Sequence, residues 1–89
     1  MDIERWKLFP KTQQLLMVGS EIMRARVWQG KDGEKFKMAL ERGLDLLDLT
    51  IGDEQWKGRY GMLLWLRNEI GKFYIGLRQD DIGLLYDAL

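Results

Sequence analysis

Cysteine and histidine are absent from the 89-residue chain, and there is one serine, Ser20, and one proline, Pro10. The missing cysteines exclude disulfides, thiol nucleophiles and thiolate metal sites. The missing histidines exclude an imidazole base or ligand. Ser20 falls inside an expected helix with no base beside it, so a serine nucleophile has no activating partner. These gaps point to a protein that is not an enzyme of the acyl-transfer, thiol or imidazole-base kinds. Excess charge of one sign is also lacking, because 14 Lys and Arg balance 14 Asp and Glu. No net field therefore calls for a polyanionic partner. Long hydrophobic runs are missing too. The longest near the middle, Met62 to Leu66, has five residues, where a membrane span needs about 20. The opening MDIERWKLFP carries Asp2 and Glu4 and no apolar run behind a basic segment, so it does not read as a secretion signal. The expected location is the cytoplasm, with no membrane partner.

What is present is helical. Apolar residues make up 46% and charged residues 31%, a globular balance. At this length one domain is expected, 1–89. The apolar positions recur at three and four rather than two. A first helix is expected over about 11–29, with Leu15, Val18, Ile22 and Ala25 on one stripe and Leu16, Met23 and Val27 widening it. Gly30 stops it. Asp32 caps a second helix over about 33–51, carrying Phe36, Leu40, Gly43 or Leu44, Leu47 and Ile51. Asp53 caps a third, over about 54–78. Its Leu63, Leu66, Ile70, Phe73 and Leu77 are spaced as a packing seam, and Tyr60, Leu64, Arg67, Gly71 and Tyr74 flank it. Gly58 and Gly61 leave open a break that starts this helix near Tyr60. Trp6 and Phe9 fit one turn at the head, and a short helix fits 81–88. The expected fold is all-α: a small antiparallel three-helix up-down bundle with short extra helices at head and tail.

Three constellations carry candidate chemistry. Glu41, Asp45 and Asp48 form an acidic ladder, but it faces outward and lacks the Glu-x-x-His pair of bundle metal centres; no metal or cofactor is expected. Glu21 and Glu69 border the core stripes and read as boundary ion-pair residues, with Arg24, Arg26 and Arg67 as candidate partners. The other reading is a paired-acid site in a small helical enzyme. A broken basic patch, Arg24, Arg26, Lys31, Lys35 and Lys37, surrounds Trp28. It supports a second reading as a nucleic-acid-associated regulator, although Asp32 and Glu34 interrupt it and nucleic acid is the disfavoured partner.

Four tryptophans are the strongest positive feature. Trp28 ends the first helix and Trp56 begins the third, and the two ends are expected to meet. Trp65 lies off the main seam. With Leu64 and Tyr74 these residues form the expected protein interface: Trp28, Trp56, Leu64, Trp65 and Tyr74. The function expected from the sequence is a non-enzymatic interaction or structural module, self-associating as a homodimer or binding another protein. The competing expectation is that head and tail fold back over the surplus apolar faces.

Overall fold

The computed structural model describes residues 1–89. Five α-helices and one 3-10 turn are present: α1 (Ile3–Trp6), α2 (Lys11–Trp28), α3 (Gly33–Ile51), the turn Glu54–Trp56, α4 (Tyr60–Tyr74) and α5 (Gly83–Tyr86). The architecture is the all-α bundle that the periodicity implies. Side-chain caps set several of the starts. Asp2 accepts the Arg5 N–H at 2.9 Å, and Asp32 accepts those of Glu34 and Lys35 at 3.1 Å. Each satisfies donors that a helix start leaves without partners.

α3 packs along both α2 and α4, while α5 lies against α2. One continuous core joins them. Val18, Ile22 and Ala25 come from α2, Ala39, Leu40 and Leu47 from α3, and Leu63, Leu66, Ile70 and Phe73 from α4. Trp56, Ile82 and Leu85 close it. The accessible surface is 5589 Å², close to the roughly 5,400 Å² that a chain of this mass exposes when compact.

Three expectations change. The third helix is shorter at both ends than 54–78. At its start, Gly58 at φ 91° breaks the backbone, and residues 54–56 form a separate 3-10 turn that swings Trp56 inward. At its end, the Gly76 N–H reaches the Phe73 carbonyl at 3.3 Å and the Leu77 N–H reaches that of Lys72 at 2.9 Å. This double closure requires a left-handed residue, which Gly76 supplies at φ 82°. Leu77 therefore leaves the seam and is 76% exposed. Gly76→Ala is expected to cost about 1–2 kcal/mol, the penalty for a Cβ in the left-handed region, read as a lowered thermal midpoint.

Thirdly, Trp28 and Trp56 do not meet. In an up-down bundle the third helix starts where the second ends, beside the beginning of the first. Trp56 accordingly bonds to Gln14, fourteen positions before Trp28, or about 21 Å along the helix.

The tail folds back onto α2. Gln29 Nε2 donates to the Asp80 carbonyl at 2.7 Å, and its Oε1 accepts the Ile82 N–H at 2.9 Å. Ile82 and Leu85 are thereby buried. A Cβ added at Gly19 would stand 2.9 Å from the Tyr86 ring, so the missing side chain is what lets the tail approach.

Candidate functional site

The densest side-chain cluster lies at the end of the bundle where α2 begins. Gln14 is fully buried on the same stripe as Val18 and Ile22. Its Nε2 donates to the Trp6 carbonyl at 3.0 Å, the Phe9 carbonyl at 3.2 Å and Asp53 Oδ2 at 2.8 Å. Its Oε1 accepts the Trp56 indole N–H at 2.6 Å. Asp53 also receives Gln55 Nε2 at 2.7 Å and the Gln55 backbone N–H at 3.1 Å. Beside them Trp6 Nε1 donates to Thr50 Oγ1 at 3.1 Å, and the Thr50 hydroxyl donates to the Leu46 carbonyl at 2.7 Å. The network ties α1, α2, α3 and the 3-10 turn together, and it leaves no buried side-chain polar atom unpaired. A closed network of this kind fixes a fold.

Burial alone would raise the Asp53 carboxyl pKa. The hydrogen bonds from Gln14 and Gln55, with the charge of Lys7, outweigh it and hold the group below its ordinary 3.8. A carboxyl depressed in the native state stabilises it above the unfolded value, and that contribution disappears as pH falls through the native value. Acid unfolding should therefore steepen below about pH 4. Asp53→Asn places an amide NH₂ among donors. It should lower stability at pH 7 by about 1.5–3 kcal/mol, the range for bonds to a charged group, and flatten the acid limb. Chemical denaturation between pH 2 and 7 reads both effects.

The acidic expectations resolve into ion pairs. Glu21 holds Arg24 at 2.7 Å and Arg42 at 3.0 Å, and Glu69 holds Lys72 at 2.8 Å and Arg78 at 3.0 Å. Of the candidate cations, Arg24 alone finds its acid here. Arg67 instead pairs with Asp48 at 2.6 Å, and Arg26 with Asp81 at 3.4 Å. The Lys72 ammonium, foremost, draws the Glu69 carboxyl below its usual range against its partial burial. No group of three or more acids stands where it could hold a metal ion.

The basic patch is largely occupied within the molecule. Arg24 and Arg26 are in those ion pairs, Lys35 lies 4.2 Å from the centre of the Trp28 ring, and Lys37 lies 5.6 Å from that of Tyr74. Of the five, Lys31 is left without such a contact.

The expected interface residues separate in the same way. Trp56 is only 2% exposed and has no area for a partner. Trp28 is half-buried beneath Lys35. Tyr74 is half-buried and donates to Glu41 Oε1 at 2.7 Å, a bond that raises its phenol pKa above the ordinary value. Leu64 and Trp65 remain outward, 53% and 45% exposed. With Gly61, Asn68, Gly71 and Ile75 they form an outer face at helical spacing, and Lys72, paired with Glu69, stands on the same face four positions after Asn68.

A second outer face runs along α2. Leu16, Ser20, Met23 and Val27 are spaced four, three and four, and all are exposed. Beside Leu16 an open apolar groove of about 240 Å³ lies between α2 and the tail, lined by Thr12, Leu15, Leu16, Tyr86 and Leu89. A polar cleft of about 270 Å³ at the opposite end contains Gln29, Phe36, Phe73 and Arg78. Its Gln29 amide and Arg78 guanidinium are already engaged by the tail, Glu69 and Asp80.

Compared with known proteins, the chain matches no family model, no curated protein and no solved structure. No helix is long and apolar enough to cross a membrane.

Proposed function

We propose that this protein is a non-enzymatic cytoplasmic interaction module that associates with a second copy of itself through the outer face of α4. The observation that carries the reading is the exposure of Leu64 and Trp65 on a helix whose opposite side already fills the core. Head and tail do fold back. Trp6 enters the interior, and Ile82 and Leu85 seat against it, yet Leu64, Trp65 and Ile75 stay exposed. The chain's own ends therefore leave this face for something else. Tryptophan at such a centre is the side chain most often decisive in binding, and a zero net charge places no long-range repulsion between copies. The satisfied polar network and the occupied cations favour neither an enzyme nor a nucleic-acid binder.

Leu64→Lys together with Trp65→Glu tests the reading. These exposed substitutions should leave the helical far-ultraviolet spectrum intact and reduce the apparent mass in size-exclusion chromatography with light scattering to 10.5 kDa. A variant that is folded and still associates as the wild type does would remove α4 from the interface.

A further inference from the structure

We infer that residues 80–89 form a strap that opens and closes as one unit on an intact bundle, with Gln29 as its clasp and Arg78 as its fixed base.

The backbone sets the boundary of the unit. Residues 80–89 make backbone hydrogen bonds only among themselves, from Leu84 to Asp81, Leu85 to Ile82, Ala88 to Leu85 and Leu89 to Tyr86. None runs from this segment to the rest of the chain. Lifting it therefore breaks no helix of the bundle. The base is held differently. The Arg78 N–H bonds to the Lys72 carbonyl at 3.2 Å, and its guanidinium donates to Glu69 at 3.0 Å and stands 4.9 Å from the centre of the Phe73 ring. The chain is tied to α4 as far as Arg78 and released after it.

The attachment rests on a few side chains along one face of α2. Gln29 is the one side chain of the bundle that bonds to the strap's backbone, and it takes both the Asp80 carbonyl and the Ile82 N–H. Arg26 and Asp81 add an ion pair at 3.4 Å, with both side chains about half exposed, which contributes little. Ile82 and Leu85 are the buried apolar anchors, and Tyr86 and Leu89 close over Gly19. Past Gly19 the packing is incomplete, because the 240 Å³ groove separates the strap's end from Leu15 and Leu16. Two anchors and one clasp must offset the ordering of ten residues, whereas the bundle draws its core from α2, α3 and α4 together. The strap is accordingly the low-stability unit of the fold. Opening bares Ile82, Leu85 and the α2 face beneath them, so apolar surface is switched on and off while the bundle stays folded.

Native-state hydrogen exchange, followed residue by residue where rates report opening equilibria, tests this. The Ile82, Leu84 and Leu85 amides should exchange together, at least about tenfold faster than those of Leu47 and Ile70 in the bundle. Met38→Gly separates the two kinds of opening. Met38 is exposed on α3, whereas the strap lies on α2. A glycine there should speed exchange at Leu47 and Ile70 about fivefold. The strap amides should keep their rates, because α3 is equally intact in the closed and open forms. Gln29→Ala should speed all three strap amides by about tenfold, with the helical far-ultraviolet spectrum retained. If Met38→Gly speeds the strap amides by the same factor as the bundle, the strap opens only when the whole chain unfolds, and the inference fails. It fails equally if Gln29→Ala changes Ile82 alone or none of the three. Strap amides that exchange at the rate of a free peptide would show that the segment never closes, and would also overturn it. None of these outcomes touches the reading of the α4 face.

Discussion

Trp56→Ala is expected to remove about 3–5 kcal/mol of stability, the range for deleting a buried tryptophan side chain. The indole is 2% exposed within the main core, so its loss leaves a cavity that the surrounding helices fill only in part. The polar consequence adds to this. Gln14 Oε1 loses its 2.6 Å donor in a site closed to water, a penalty of about 1–3 kcal/mol for an unpaired buried group. A chain of this length has about 4–13 kcal/mol in total. The variant should therefore be largely unfolded or close to it at 37 °C. Trp56→Phe separates the two parts. It keeps most of the ring volume and loses the N–H, so a loss of about 1–3 kcal/mol is expected. Urea denaturation measures both. If the alanine variant loses less than about 1 kcal/mol, Trp56 is not the core residue described above.

Leu66→Ala and Ile70→Ala should each cost about 2–5 kcal/mol. Both side chains are fully buried in the common core, on a helix that packs along α3. The matching control is Leu77→Ala, one step further along the expected seam but outside α4 and in solvent. Its effect should stay within about 0.5 kcal/mol, as for exposed positions without special contacts. Equal losses at positions 70 and 77 would place the end of the helix wrongly.

The contrast between positions 70 and 77 shows what the sequence reveals and what it conceals. Periodicity placed Leu63, Leu66, Ile70 and Phe73 on one buried face because burial of an apolar stripe is a local property of helical spacing. It continued to Leu77 because nothing in apolar spacing marks the point where Gly76 turns the backbone left-handed. The cap at Asp32 was legible for the same local reason, whereas Asp53 caps the 3-10 turn instead of the third helix, which starts after Arg59 without a side-chain cap. Trp56 was misplaced by topology rather than chemistry: its position in an up-down bundle follows from counting ends, and that count puts it beside Gln14.

The polar network was concealed by its own chemistry. Gln14 sits four residues before Val18 on the buried stripe, and a polar residue at such a position signals an internal partner. The partners are Asp53 and Trp56, 39 and 42 residues away in sequence, beyond any helical repeat. The candidate interface was half legible. Leu64 and Trp65 fall off the seam by spacing alone, and Leu16 and Met23 were visibly surplus to a single core. The groove beside Leu16 needed the tail's position, which depends on Gly19, a residue whose missing side chain carries no periodic signal.

The most direct test of the account is sedimentation equilibrium of the unmodified chain across about a hundredfold range of concentration, starting near one micromolar, since association follows mass action. The weight-average mass is predicted to rise from 10.5 kDa with concentration. A mass that stays at 10.5 kDa throughout would contradict the account.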